Sequence, residues 1–119
     1  MKSWALPDIE TPGGSRSPVV LHSGNEGRAV LIGLEAGQEL GEHQVKESLF
    51  LVVLKGHVRI ESRGEALEAG PGTLATFEPD ERHSVSTDNG ARILLLLSPW
   101  PGAGHYRAEE KAADAQARR

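Results

Sequence analysis

Five histidines and no cysteine bound the chemistry open to this chain of 119 residues. Without thiols there is no disulfide, no thiolate metal site and no cysteine nucleophile. Any metal held by the protein must therefore sit on imidazole or carboxylate. The histidines are His22, His43, His57, His83 and His105. Carboxylates stand beside two of them: Glu42 and Glu47 around His43, and Glu78, Asp80 and Glu81 just before His83. Two imidazoles supply half of a four-coordinate site, whereas a catalytic zinc or iron site usually takes three protein ligands and one open position. The same pair can instead serve as polar handles in an apolar pocket, because a buried imidazole needs only a hydrogen-bond partner. Other chemistries fall away on spacing. Ser84 and Ser86 lie near His83, but no Ser–His–acid arrangement can be read there. Gly70-Pro71-Gly72 is a turn and not a phosphate loop, since neither a helix start nor Lys-Ser/Thr follows it.

The elements that must position these groups are strands. From residue 19 short apolar runs recur every eight to twelve residues. The predicted strands are 18–22, 28–34, 39–45, 48–54, 57–62, 65–68, 73–78, 83–86 and 91–98. Glycine-rich turns separate them, such as Lys55-Gly56, Arg63-Gly64 and Asp88-Asn89-Gly90. This rhythm indicates an all-β sandwich or barrel. No window before residue 103 has helical periodicity, which argues against a βαβ fold. Alternation with Val58 and Ile60 turns His57 outward. His22, on an earlier strand that could reach a barrel mouth, reads with His57 and His105 as an ordinary exposed histidine. Residues 49–54 and 93–97 are apolar on both faces, so their outer sides need cover. A homodimer is the first expectation for that cover, and the N-terminal arm the second, because the arm is short and mostly polar.

Three segments follow: an irregular N-terminal arm, 1–18, broken by Pro7, Pro12-Gly13-Gly14 and Ser17-Pro18; a barrel, 19–100; and a polar tail, 101–119. Residues 107–119 have helix propensity but no apolar stripe beyond Tyr106, and read as a solvated tail. Trp100, between Pro99 and Pro101, reads as a plug where the last strand leaves the barrel. The net charge is −4 with no basic face, so nucleic acid is not an expected partner. The apolar runs are too short to cross a bilayer and Met1-Lys2-Ser3-Trp4 lacks a signal segment, so a soluble, cytoplasmic protein is expected, with no membrane partner. The excess of Arg over Lys points to a GC-rich bacterial source.

Two spaced motifs give the order its meaning. Gly37 is followed after five residues by His43, with Val45, Leu49 and Gly56 at the next set positions. Gly72 is followed by Glu78, Asp80, His83 and Thr87 at the spacing G-x5-P-x-G-x2-H-x3-N. Across 37–87 this register resembles that of the cupins, whose first motif runs G-x5-H-x-H-x3-E-x6-G. The resemblance implies a single cupin-type jelly-roll barrel, with metal bound by two His and a Glu of the first motif and one His of the second. Carried over residue by residue, only His43 and His83 match metal ligands. Val45 and Leu49 replace the second His and the Glu, and neither can coordinate. Glu47 is the nearest carboxylate that could stand in, if its strand already begins there. The expected pocket is lined by His43, Val45, Leu49, Leu51, Val53, Val58, Ile60 and His83.

Three functions remain open at this point: a cupin binding a small-molecule ligand, a metal-dependent cupin oxygenase or isomerase on a two-His site, and a structural dimer with a vestigial pocket. No cofactor is the first expectation, with a divalent metal (Zn, Ni, Mn or Fe) as the alternative. No catalytic residue is assigned, so whether the chain is an enzyme stays undecided.

Overall fold

The computed structural model describes residues 1–11 and 18–103, with Glu42 and His43 described by their backbone alone. His105, Tyr106 and residues 107–119, read above as a solvated tail, lie outside the described residues, and so does the 12–17 part of the arm. Nine strands follow in order: β1 Val19–Gly24, β2 Gly27–Leu34, β3 Glu39–His43, β4 Ser48–Gly56, β5 Val58–Ser62, β6 Glu65–Ala69, β7 Leu74–Phe77, β8 His83–Ser86 and β9 Ala91–Ser98. They form two antiparallel sheets, β1-β2-β9-β4-β7 and β3-β8-β5-β6. The fold is the all-β cupin jelly roll that the turn rhythm and the motifs anticipate.

Alternation builds the core. Val30, Ile32 and Leu34 of β2, Leu49, Leu51 and Val53 of β4, Val58 and Ile60 of β5, and Ile93, Leu95 and Leu97 of β9 all turn inward. Each is at most 8% exposed, and together they fill the space between the sheets. A fully buried side chain of this size contributes roughly 1.5–3 kcal/mol. The motif glycines serve the turns: Gly37, Gly56 and Gly72 have φ of 79°, 77° and 87°, a region that side chains resist.

The arm departs from expectation in one detail. It contains a short 3-10 turn at Leu6–Asp8, where Pro7 fixes the first dihedral, and no strand is found in its described part. Arg92 of β9 ties this turn down, its Nη1 donating to the carbonyls of Leu6 (2.9 Å) and Pro7 (3.3 Å). Thr11 lies over Gly33, where any side chain would collide with it. The arm therefore runs over the outer side of β2 and β9. Leu31, which faces that side, is fully buried.

Candidate functional site

One end of the barrel gathers the ligand positions of the two motifs. The register pairs His43 of β3 directly with His83 of β8. His83 is 2% exposed. Its ring stacks on Phe77 of the opposite sheet, with centroids 4.2 Å apart and planes 19° from parallel. Its Nδ1 lies 3.1 Å from the Glu81 carbonyl, which fixes the ring's orientation. The stack and the backbone oxygen together fix the plane of this buried imidazole.

The loops around this mouth are stitched together. The Asp80 N–H donates to the Val45 carbonyl at 2.7 Å, and Lys46 Nζ meets Asp80 Oδ1 at 2.8 Å. Asp80 stands where the second motif has glycine, and it keeps the glycine-like backbone, with φ at 65°. Aspartate tolerates that conformation better than most residues, which is how the turn survives the replacement. Glu47 is fully buried and accepts the Gly102 N–H on Oε2 at 2.7 Å. Gly102 is pressed so closely on the Lys46 carbonyl that no side chain would fit. The segment leaving β9 is thereby docked across the mouth.

Trp100 packs against the core within that segment, and its N–H donates to the Asn25 carbonyl at 3.2 Å. The Arg28 guanidinium lies over its ring, 4.4 Å from the centroid. Arg28 alternates with Val30, Ile32 and Leu34 and so points inward, and its Nε is buried without a hydrogen-bond partner. The register sets Arg28, Leu97, Leu49 and Phe77 in one row across the five-stranded sheet. That row ends at the Phe77–His83 stack, so the cation and the imidazole share one level of the barrel.

The sequence-predicted site residues fall into two groups. His83, Val45 and Leu49 come together at the mouth, with the His43 backbone paired beside them. Leu51, Val53, Val58 and Ile60 lie deeper, at 0–5% exposure, as packed core. Two open clefts lie elsewhere. One, of about 600 Å³, is at the far end of the barrel around Lys55, His57 and Arg92. The other, of about 700 Å³, is on the outer face of β5 and β8. Glu78 and Glu81 line up against Arg63, and Glu81 also accepts from Ser62 Oγ at 2.7 Å, so the charged run before His83 is an organised network. His57 is exposed, as expected, whereas His22 is half-buried against Glu26 at 2.7 Å and beside the Trp4 ring.

The cupin four-ligand metal scheme does not fit this donor set. Leu49 is core at 1% exposure and Val45 packs on it. Among the described residues no three His, Asp or Glu side chains cluster closely enough to hold an ion.

Residues 28–99, more than half of the chain, match the family described as the AraC-like ligand binding domain. The chain belongs to that family. No curated protein matches it. Among solved structures it is similar to an RmlC-like cupin from Desulfovibrio desulfuricans, at 23% identity and a TM-score of 0.71, over 83% of this chain and 97% of that one. It is also similar to an RmlC-like cupin from Shewanella frigidimarina, at 22% identity and a TM-score of 0.66, over 69% and 74% of the two chains. The cupin domain of Schizosaccharomyces pombe Cnp3 superposes with a TM-score of 0.72 at 11% identity, over 82% and 73%. These likenesses are of fold. As an AraC-like ligand binding domain the chain has three mouth residues that the motif spacing missed: Arg28, Glu47 in its buried role, and Trp100 as the partner of Arg28. Arg28 was legible from alternation within 28–34. The burial of Glu47 was not, because it depends on Gly102, which is 55 residues away.

Proposed function

We propose that the chain binds a small molecule at the mouth of its barrel, with His43 and His83 as polar handles. Val45, Leu49 and Trp100 form the apolar surround in this reading, and Arg28 supplies a cation at the same level. The observation that carries the reading is the direct pairing of His43 with His83 in a member of a ligand-binding family. The register brings the two histidine positions opposite each other beside the core, and binding pockets are largely apolar with few placed polar groups. No acid, base or nucleophile is assigned, so the reading is of binding. The test is a thermal-shift screen of sugars, organic acids and nucleosides on the purified chain. A ligand at a hundred times its Kd adds about 2.7 kcal/mol of stability. The expected hit loses its effect in Val45→Trp, which fills the mouth, and keeps it in Leu74→Glu, on the outer face. A hit insensitive to Val45→Trp would remove the mouth as the site.

A second copy of the chain is the proposed cover for the other apolar surface, in a soluble homodimer. Phe50 and Leu96 are register partners on the outer face of β4 and β9, and each is 39% exposed. Leu74 of β7, opposite Val52, is 57% exposed beside them. The arm serves the β2 side of this face and leaves these residues open. A contiguous apolar patch on a soluble protein marks an interaction surface. Among the described residues no helix is long and apolar enough to cross a membrane.

A further inference from the structure

We propose a second binding site, for a small oxyanion, in the cleft at the end of the barrel away from His43 and His83. The cleft measures about 600 Å³ and is formed where the end of β2, the β4–β5 turn and the β8–β9 turn converge. From Leu49 at the mouth to Lys55 in the cleft, β4 advances about 20 Å at roughly 3.4 Å per residue.

Two cations face each other there. Lys55 and Arg92 are register partners on β4 and β9, so their side chains leave the sheet on the same face. Like charges set directly opposite destabilise a sheet, and a nearby carboxylate is the usual relief. Among the described residues neither cation has one. Glu68 of the cleft is taken by Arg59 at 2.8 Å, and Arg59 is held on its other side by Glu61 at 2.9 Å. Glu35 and Asp88 also line the cleft, yet neither forms an ion pair with Lys55 or Arg92.

Arg92 is also positioned for the task. Its Nη1 is fixed by the Leu6 and Pro7 carbonyls, while among the described residues Nε and Nη2 have no hydrogen-bond partner. That free edge is the side of a guanidinium that grips a carboxylate or phosphate with two parallel hydrogen bonds. The neighbouring register position on β2 is Gly33, and the space a side chain would take there is occupied by Thr11 of the arm, which borders the guanidinium on that side. Lys55 adds an exposed ammonium on the other side, and the His57 ring, which has no hydrogen bond among the described residues, adds a ring nitrogen. The unpaired carboxylates of Glu35 and Asp88 accept hydroxyl donors. The ligand class is therefore a small carboxylate or phosphate that carries hydroxyl groups.

The experiment follows backbone amide signals of the chain by NMR during titration with three probes: gluconate, glycerol 3-phosphate and inorganic phosphate. Sodium chloride at equal ionic strength is the control. The expected result is saturable shifts at Lys55, Gly90 and Arg92. Gluconate responding alone identifies a carboxylate ligand, and glycerol 3-phosphate responding more tightly than inorganic phosphate identifies a phosphorylated one. Arg92→Gln, which keeps a donor for the arm carbonyls, and exposed Lys55→Gln should each weaken binding about tenfold or more. His83→Phe, at the other end, should leave it unchanged. Three outcomes overturn the proposal: no saturation by any probe at millimolar concentration, equal shifts with chloride, or binding that survives Arg92→Gln.

Discussion

The Glu81 carboxyl is held below the ordinary carboxylate range, first by the Ser62 hydroxyl, then by the Glu78 N–H, with Arg63 and His83 adding smaller attractions. Its folded pKa is depressed. The stability it contributes is therefore present above the ordinary value and lost as pH falls through the lowered one. Urea unfolding of the wild type and of Ser62→Ala should differ clearly at pH 6–7, and the gap should narrow as the pH drops toward 3. A gap that widens in acid would refute the assignment. A second prediction concerns the two motif positions that lost their ligands. Leu49 lies in the core, so Val45→His with Leu49→Glu puts a costly carboxylate there when no metal is bound. The double variant should melt well below the wild type without metal, and zinc or nickel should restore it, because metal binding becomes folding free energy. A variant that folds and ignores both ions would show that the first motif is misaligned. At this scale the sequence was informative about position and poor about environment. Spacing located His43 and His83, but spacing does not report that Phe77 stacks on His83 or that Trp100 lies under Arg28. Those contacts join residues 6 and 72 positions apart, across sheets and loops.

Turns set the geometry at the level of elements. The Gly56 turn approaches the β8–β9 turn so closely that a Cβ would strike the Gly90 carbonyl, and its φ of 77° disfavours any side chain. Gly56→Ala combines both penalties and should cost about 2 kcal/mol or more. For a domain of this size that corresponds to roughly a 10 °C fall in melting temperature, readable by calorimetry. Gly37→Ala has the strained φ but open space around it, and should cost less. The strands themselves were legible to within about two residues, because the inward faces alternate and most turns carry a glycine. The arm was harder to read. Pro7 forbids a regular element on propensity alone, and the 3-10 turn is settled by a contact with Arg92, 85 residues later.

At the scale of the whole molecule, the doubly apolar text of 49–54 and 93–97 announced that something covers the outer face. The cover is divided. The arm lies over β2 and β9 near Gly33 and Arg92, while Phe50, Leu74 and Leu96 stay exposed. Sequence alone left arm and partner as rivals because it does not say which strands are neighbours in the sheet. Phe50→Glu should turn the proposed dimer into a monomer without unfolding it, since Phe50 is an exposed side chain. Sedimentation at micromolar concentration checks this: the wild type is expected at twice the mass of the variant. A wild type that sediments as a monomer would remove the dimer.

The strand order also decides how far any self-association can run. Each sheet ends in two strands whose outer hydrogen-bonding groups are free to recruit another chain, which is the route to fibres. All four ends are blunted here. The register breaks in β1 between Val20 and His22, and in β3 between Leu40 and His43. β6 carries Glu65 and Glu68, and β7 is only four residues long. Growth by strand addition is disfavoured at every margin. Copies that met as the proposed dimer would do so face to face, and a face covered once has nothing left to add, so such an assembly would close on itself where an open one would grow into a fibril.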